Sequence, residues 1–507
     1  MTRKQRIDIR HAAAINCAEA AERLVSERVS LDPLRQAYHV EPPANWMNDP
    51  CAMVYFRGEY HLMYQYDPYH ITPRGMVFGH VKSRDLAHWE RLPVAIAPSE
   101  PHELYPYDAQ GMNYGIFTGS AAVDGDRMVV LYCGSSYDDA GNLKQTICLA
   151  TSEDGVHFEK YEGNPVIAQP PEDSDYDFRD PKLWKRGDLW YALMGSSKDG
   201  LGQVLLYESA DLIHWRYVGV TARSDGRFGT MWECPDFFEL NGKQVLLFSP
   251  INMPDTDTCY MVGAMDYGTG KFTMENWGKV DLGCEYYAPQ TLEDGRGRRI
   301  AIGWCAMWHH NGRTHFTTYG PTVERGWCGH MSIPRVLSLD ADNRLTAEPA
   351  PETALLRKTP AHVYRCVLED ARQTVPADFT KATELSLTID FINAKDGAGR
   401  AGIAVRCASD GSHETRVYYD AALRALVLDR RLSDGICNDV QAYPLECQNG
   451  RVTARLFVDS TSLELFSDEG RIASSNNIYP RPEDTGTRLF SEGCRATMFL
   501  EGWALRG

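Results

Sequence analysis

Apolar residues along this chain occur in short runs separated by polar turns, a pattern that is typical of β-strands. Five segments share one pattern, in which a glycine turn precedes an apolar, aromatic-rich run: RGEYHLMYQY, DGDRMVVLYCG, RGDLWYALMG, NGKQVLLFS and DGRGRRIAIGW. Their turn glycines are Gly58, Gly125, Gly187, Gly242 and Gly295, separated by 53 to 67 residues. Strand-rich units of this length predict the blades of a β-propeller. The alternative is a large β-sandwich whose turns are similar by chance.

A second repeated element favours the propeller. The segments SRDLAHWERL from Ser83, SEDGVHFEKY from Ser152 and SADLIHWRYV from Ser209 each place a serine, an aspartate and a histidine ahead of an aromatic residue. Each follows the hairpin of its unit by a similar distance. We therefore predict a five-bladed β-propeller over residues 32–340.

The pattern changes after Pro334. Pro349 and Pro351 predict a linker over residues 341–359, because closely spaced prolines disfavour both helix and sheet. Beyond it, segments such as ELSLTIDFI and RVTARLFVD alternate at period two, which predicts a β-sandwich over residues 360–507. Residues 1–31 predict an N-terminal helix with one apolar stripe, formed by Ala13, Cys17, Ala20 and Leu24. The predicted fold class is all-β, a five-bladed β-propeller followed by a C-terminal β-sandwich, with a short N-terminal helix.

Composition and charge narrow the choice of partner. The chain is 43% hydrophobic and 24% charged, as expected of an ordinary globular protein. Its net charge of −17 argues against a nucleic-acid partner, because phosphate binding relies on clustered Lys and Arg. No run of about 18 apolar residues predicts a membrane span, and the opening segment makes a poor signal peptide. The 14 cysteines include no C-x-x-C pair, so we expect no metal site, buried free thiols and a cytoplasmic location.

Three acids occupy comparable places in the repeat. Asp49 lies 9 residues before Gly58, Asp180 lies 7 before Gly187, and Glu233 lies 9 before Gly242. Each stands just ahead of a proline, in Asn48-Asp49-Pro50, Arg179-Asp180-Pro181 and Glu233-Cys234-Pro235. Equivalent blade positions converge on the central channel, so we expect the three acids at one structural position. The alternative is that each Asp-Pro pair only marks a turn.

Carboxylates that share one cavity push their pKa values apart, and glycoside hydrolysis uses one ionised and one protonated carboxyl. Aromatic residues near the acids, namely Trp46, Trp232, Tyr286 and Tyr287, are candidates for stacking on sugar faces. The residues alone therefore indicate a saccharide site at the propeller axis.

At these residues the chain resembles glycoside hydrolase family 32, the family of invertases and fructanases. Trp46-Met47-Asn48-Asp49-Pro50 is similar to the family's nucleophile motif, Phe178-Arg179-Asp180-Pro181 to its stabiliser motif, and Met231-Trp232-Glu233-Cys234-Pro235 to its acid/base motif. Further similar stretches are Tyr64-Gln65-Tyr66, GIFTGSA from Gly115, Tyr286-Tyr287-Ala288-Pro289-Gln290 and MSIPR from Met331. The resemblance runs from about Tyr38 to the end of the chain.

The resemblance implies a retaining hydrolase of β-fructofuranosides that needs no cofactor and no metal. Asp49 is then the nucleophile, Glu233 the acid/base and Asp180 the stabiliser of the transition state. The implied substrate-binding residues are Asn48, Gln65, Phe117, Thr118, Arg179, Trp46 and Tyr287. The partner is a small saccharide, with no nucleic acid and no membrane, and a homo-oligomer through the β-sandwich is a further hypothesis.

Several positions depart from the family's pattern. Cys51 and Asp67 stand where asparagine is common, and Glu285 stands where aspartate is common. The stretch TPRGMVFGH from Thr72 lacks two tryptophans that the family places before its Gly-His pair. His70 and Arg74 in this altered stretch are candidates for contact with a phosphate.

Competing functions follow from the same residues. A fructosyltransferase differs only in whether water or a sugar hydroxyl attacks the intermediate, and a non-catalytic sugar-binding protein needs no acids. An inverting propeller hydrolase is a further alternative. The sequence leaves open whether sucrose, sucrose 6-phosphate, inulin or levan oligomers are preferred.

Overall fold

The computed structural model describes residues 1–104, 114–138, 140–253, 258–306, 308, 320–358, 360–376, 379, 381–394 and 398–506. The chain forms two compact units. The first consists of Met1–Ser30, Glu41–Val280 and Tyr286–Leu345, and the second of Leu31–Val40, Asp281–Glu285 and Thr346–Gly507.

The first unit contains the blades of the propeller. The first two are β1 (Asn45–Phe56), β2 (Glu59–Asp67), β3 (Gly75–Ser83) and β4 (Trp89–Ile96), then β5 (Tyr114–Asp124), β6 (Arg127–Tyr137), β7 (Leu143–Ser152) and β8 (Glu159–Lys160). The third and fourth are β9 (Phe178–Arg186), β10 (Leu189–Lys198), β11 (Leu201–Ser209) and β12 (Trp215–Arg223), then β13 (Met231–Leu240), β14 (Lys243–Ile251), β15 (Cys259–Asp266) and β16 (Lys271–Lys279). The fifth contains β17 (Tyr287–Glu293), β18 (Arg299–Trp304) and β20 (Arg335–Leu339), and leads into β21 (Leu345–Pro349), while β19 (Trp327–Cys328) runs parallel to β1.

The first strands of successive blades lie side by side, in the order β1, β5, β9, β13 and β17, and β17 returns to β1. This closed ring confirms the predicted five-bladed propeller. Three of the propeller hairpins are made by two-residue turns in which both residues have positive φ, namely Arg57-Gly58, Asp199-Gly200 and Asn241-Gly242. Such turns match the right-handed twist of paired strands. In the fifth blade the turn glycine with positive φ is Gly297 rather than the predicted Gly295.

The N-terminal helix, α1 (Arg3–Ser30), is 28 residues long. Its predicted stripe is wrong, because Ala13, Cys17, Ala20 and Leu24 are all exposed. The buried face contains Ile7, His11, Ala18, Glu22 and Val29. Two of these are polar and have partners, since the N–H of Ala97 donates to His11 Nε2 at 3.1 Å and the Tyr66 hydroxyl donates to Glu22 at 3.0 Å. No helix within the described residues is long and apolar enough to cross a bilayer.

The second unit contains two six-stranded sheets, in the orders β22-β33-β24-β29-β30-β31 and β23-β32-β25-β26-β27-β28. The strands are β22 (His362–Glu369), β23 (Arg372–Thr374), β24 (Thr383–Ala394), β25 (Arg400–Cys407), β26 (Thr415–Asp420), β27 (Ala425–Asp429), β28 (Val440–Pro444), β29 (Arg451–Val458), β30 (Ser462–Ser467), β31 (Ile472–Asn477), β32 (Gly486–Glu492) and β33 (Cys494–Ala504). One apolar core includes Leu385, Ile403, Leu456 and Leu489 from both sheets. The predicted β-sandwich is confirmed.

Two short segments of the second unit come from earlier in the chain. In Leu31–Val40, the ring of His39 lies between Asp459 and Glu464, at 2.8 and 3.0 Å. In Asp281–Glu285, the Glu285 carboxylate accepts a hydrogen bond from Arg430 at 3.0 Å. Buried polar groups need such partners, so these contacts attach both segments to the sandwich strands.

Candidate active site

Each of the five first strands has an irregularity in its pairing at a comparable point. The register shifts lie at Met47/Pro50 in β1, Phe117/Gly119 in β5, opposite Leu193/Gly195 in β9, at Glu233/Asp236 in β13 and at Tyr287/Gln290 in β17. β-Bulges of this kind redirect side chains and are frequent beside active sites. In β9, β13 and β17, the residue directly before the proline has positive φ: Asp180, Cys234 and Ala288.

This shared bulge corrects the predicted alignment of the acids. Asp180 matches Cys234, so Glu233 matches Arg179 and Tyr287, one residue earlier. In β1 the corresponding bulge starts after Met47, so Asp49 lies one position later than Asp180. The expectation that all three acids occupy one position is therefore wrong by one residue for Glu233 and by one residue for Asp49. Spacing from the turn glycines could not reveal this, because a bulge adds a residue to one strand without changing its partner.

The bulges border a cavity of about 340 Å³ in the first unit. Eight of the ten predicted site residues line it: Asn48, Asp49, Gln65, Phe117, Thr118, Arg179, Asp180 and Glu233. The remaining two, Trp46 and Tyr287, are fully buried behind the wall. Trp46 Nε1 donates to Asn48 Oδ1 at 2.7 Å, and the Tyr287 hydroxyl donates to Glu233 Oε2.

Cys234 lies between the two aspartates. Its Sγ is 3.6 Å from Asp49 Oδ2, 3.6 Å from Asp180 Oδ2 and 3.8 Å from Thr118 Oγ1, and its N–H donates to Asp180 Oδ2 at 3.0 Å. The other oxygen of each aspartate, Oδ1, is buried and has no hydrogen-bond partner among the described residues. Each carboxyl therefore keeps an unused acceptor, although Asp49 and Asp180 are only 7% and 4% exposed.

The electrostatics of the two aspartates reflect this crowding. Burial, together with the carboxylates of Glu233 and Asp180, raises the pKa of Asp49 to about 8. Burial also raises the pKa of Asp180, with Arg179 opposing the shift and Glu233 adding to it. The cavity therefore disfavours negative charge on these two aspartates.

Glu233 has a different environment. Arg179 Nη2 donates to its Oε1 at 2.8 Å, while Tyr287 donates to its Oε2. Burial opposes the charge on Arg179, but the carboxylates of Glu233, Asp177 and Asp180 outweigh it and hold the Arg179 pKa well above its ordinary value. One cavity thus contains carboxyls in two distinct settings, as acid/base chemistry requires.

The cavity is also lined by residues that were not predicted to belong to the site: Pro73, Met76, Tyr137, Leu143, Gln145, Asp177, Ile251 and Trp308. Asp177 binds Arg179 Nη1 at 2.6 Å. Strand alternation could have found it, because residues two apart in a strand face the same side. Gln145, from the third strand of another blade, accepts from the N–H of Phe178 at 2.9 Å, and no sequence signal pointed to it.

His70 and Arg74, the candidates for phosphate contact, are not among the described residues that line the cavity. One group of possible metal ligands exists in the described part of the chain, formed by His102, Glu103 and Cys148. Glu103 Oε2 there is 2.5 Å from the ammonium of Lys160, which neutralises the carboxylate.

Comparisons with known proteins agree with this architecture. Residues 39–349 match the family described as "Glycosyl hydrolases family 32 N-terminal domain", and residues 352–503 match "Glycosyl hydrolases family 32 C terminal". A sucrose-6-phosphate hydrolase of Zymomonas mobilis is 33% identical and covers 96% of both chains, and a raffinose invertase of Escherichia coli is 31% identical over 90% of this chain and 91% of its own. A solved family 32 β-fructofuranosidase of Bombyx mori has a TM-score of 0.80 at 33% identity, covering 96% of this chain and 98% of its own.

Proposed function

The chain belongs to glycoside hydrolase family 32, and we propose that this enzyme of the β-fructofuranosidase type cleaves terminal β-D-fructofuranosyl residues by double displacement. The observation that supports the proposal most is that one cavity contains two carboxyls, Asp49 and Glu233, with different hydrogen-bond partners. Asp49 Oδ1 has no hydrogen-bond partner among the described residues, whereas Glu233 accepts hydrogen bonds from Arg179 and Tyr287.

In the first step, an Asp49 oxygen attacks the anomeric carbon and forms a glycosyl ester, while Glu233 transfers its proton to the departing sugar oxygen. In the second step, Glu233 takes a proton from water, the hydroxide attacks the same carbon, and the Asp49 carboxylate leaves. Asp180 stabilises the positive charge that develops on the ring, through contacts that strengthen in the transition state. Both displacements invert the anomeric centre, so the product retains the β configuration.

The reaction requires an ionised Asp49, whereas burial and the carboxylates of Glu233 and Asp180 raise the pKa of Asp49 to about 8. The three carboxyls share one cavity, so the proton distribution belongs to the coupled group rather than to any one residue alone.

We propose that the leaving group is a neutral sugar, so that sucrose and fructo-oligosaccharides are the substrates. Arg179 is the single cation among the described lining residues, and it is already hydrogen-bonded to Glu233 and Asp177. It therefore favours a neutral leaving group over a phosphorylated one. A variant of the Bombyx mori enzyme has been solved in complex with sucrose, with 32% identity and a TM-score of 0.81 over 97% of this chain and 98% of its own. Sucrose 6-phosphate is the second candidate, because the Zymomonas mobilis relative is named for it.

All 14 cysteines are free thiols, and most are buried. This supports a reducing, cytoplasmic location as part of the proposal. A homo-oligomer through the sandwich domain remains a hypothesis that size measurement in solution would test.

The function is tested by incubating the enzyme with sucrose and with sucrose 6-phosphate and measuring all products. We expect equimolar glucose and fructose from sucrose, and methyl β-fructofuranoside when methanol is added. The α-anomer would contradict double displacement, and fructosylated sucrose without free fructose would indicate a transferase. No cleavage of any fructoside would contradict the enzyme function itself.

A further inference from the structure

One hydrogen-bonded turn recurs three times at the blade surfaces. In each, an aspartate accepts the backbone N–H of the residues two and three positions later, and contacts the Nδ1 of a histidine three positions later at 2.7–2.9 Å. The pairs are Asp85–His88, Asp154–His157 and Asp211–His214. They belong to the repeated serine-aspartate-histidine element, and the aspartate side chains are 34–53% exposed.

A fourth copy, Asp67–His70, follows β2. Asp67 Oδ1 accepts the N–H of Tyr69 and His70 at 2.9 and 3.0 Å, and Oδ2 lies 3.3 Å from His70 Nδ1. In contrast to the other three, the Asp67 side chain is fully buried. Its Oδ2 also accepts the N–H of Arg74 at 2.8 Å and of Gly75 at 3.0 Å. One carboxylate therefore closes the whole segment 68–75, which we call the rim loop.

The rim loop is part of the wall of the catalytic cavity. Pro73 lines the cavity, as does Met76 directly after the loop. The Tyr114 N–H donates to the Arg74 carbonyl at 2.8 Å, and a Cβ added at Gly115 would come within 2.4 Å of the Met76 carbonyl. This close approach joins the rim loop to β5, which supplies Phe117 two residues later. A shift of the loop would therefore change the shape of the cavity wall.

The wall residue of the rim loop is more exposed than the catalytic aspartates. Asp49 and Asp180 are almost fully buried, whereas Pro73 is half-buried. A terminal fructosyl group must reach Asp49, so the rest of the substrate extends toward the mouth. We propose that Asp67 is a positioning residue which, through the backbone of the rim loop, sets the affinity for the leaving group. This inference rests on the fructosidase function proposed above.

Asp67→Asn tests the role with little change of shape. Asparagine keeps one acceptor oxygen for the N–H of Tyr69 and His70, but its amide group would face the N–H of Arg74 and Gly75, which are also donors. The Arg74–Gly75 end of the rim loop therefore loses its hydrogen bonds, while the turn at Tyr69 and His70 keeps them. We expect KM for sucrose to rise about tenfold or more, because an unpaired buried donor displaces the loop. KM for methyl β-fructofuranoside, with its minimal leaving group, should stay within about twofold, as should inhibition by fructose.

Asp85→Asn is the matched control, since it makes the same exchange in the same turn at an exposed site of the same blade. It should leave KM for both substrates unchanged. An equal rise of KM for sucrose and for methyl fructoside in Asp67→Asn would mean that Asp67 only maintains the fold. An unchanged KM for both substrates would mean that Asp67 does not affect substrate binding. Failure of the unaltered enzyme to cleave sucrose would instead contradict the proposed function.

A second variant covers the case in which Asp67→Asn does not fold. Pro73→Gly leaves the Asp67 carboxylate in place, removes a wall side chain and loosens the same loop. It should raise KM for sucrose more than KM for methyl fructoside. An unchanged ratio in this variant would overturn the proposal, because the loop would then not bound the leaving-group side.

Discussion

Two buried acids of the propeller, Asp49 and Glu103, differ in what surrounds them. Glu103 accepts hydrogen bonds from Lys160, the Tyr132 hydroxyl and the N–H groups of Ser99 and Glu100. Burial opposes its charge, yet Lys160 and these donors hold its pKa below the ordinary value. Asp49 has one unpartnered oxygen among the described residues, and its pKa is raised to about 8.

The difference separates an acid that stabilises the fold from one that is available for chemistry. A satisfied carboxylate has no lone pair left for a substrate carbon. An under-satisfied one destabilises the folded protein, which is the usual cost of a reactive group in a preformed site. A buried carboxyl can thus serve either purpose, and its hydrogen-bond partners tell which.

The largest effect expected is that of Asp49→Asn on turnover. The amide cannot form the glycosyl ester, so kcat should fall by more than about 10⁴-fold. The variant should also be more heat-stable at pH 8–9. A folded-state pKa above the unfolded value makes the protein lose stability as pH rises from about 4 to about 8.

Thermal unfolding across that pH range checks the second half of this prediction. The gain in melting temperature should shrink toward pH 4, where Asp49 is protonated in both states. An Asp49→Asn protein that is inactive but less stable at every pH would mean that the carboxyl is structurally satisfied, as Glu103 is.

Glu233→Gln should produce the next largest effect, and one that depends on the leaving group. Loss of the general acid should slow sucrose cleavage by about 10²–10⁴-fold, because a sugar alkoxide needs a proton to depart. A nitrophenyl β-fructoside needs little protonation, so its first step should be spared. A burst of nitrophenol followed by slow turnover is expected, and equal slowing of bond cleavage for both substrates would assign the proton to another residue.

Glu103→Gln should have the opposite effects to Asp49→Asn, because it should lower stability and leave catalysis unchanged. Leaving Lys160 buried without its partner should lower the free energy of unfolding by about 3–5 kcal/mol. The kinetic constants of the folded enzyme should be unchanged. Replacing both residues by methionine should recover much of the loss, since the isolated charge is then absent, and a double variant as unstable as the single one would count against this account.

The smallest effect is a shift of a pH profile. Glu233 is one of the charges that raise the pKa of Asp49, so Glu233→Gln should lower it. The acidic limb of the nitrophenol burst, which follows ionisation of Asp49, should therefore move to lower pH than in single turnovers of the unaltered enzyme. A limb that stays in place would show that burial and Asp180 raise the pKa of Asp49 without Glu233.

The sequence predicts the ring of blades because each blade needs only local signals, a glycine turn and an apolar run. It also points to Asp49, Asp180 and Glu233, because a proline follows each closely. It misplaces Glu233 and Asp49 by one residue each relative to Asp180, since the bulges are consequences of pairing between strands and leave no mark in spacing.

The helix α1 shows a second kind of failure. An apolar stripe was expected, but the buried face contains His11 and Glu22. Their partners are the Ala97 N–H and the Tyr66 hydroxyl, which lie more than 40 residues away along the chain. A hydrophobicity pattern cannot anticipate partners that only the tertiary fold supplies.

The bulge shared by β9, β13 and β17 separates backbone shape from side-chain chemistry. All three strands give positive φ to the residue before the proline, while that residue is Asp180, Cys234 or Ala288. One backbone conformation thus presents a carboxylate, a thiol or a methyl group. Charge and size at this point of a blade can therefore differ while the register shift beside it is retained.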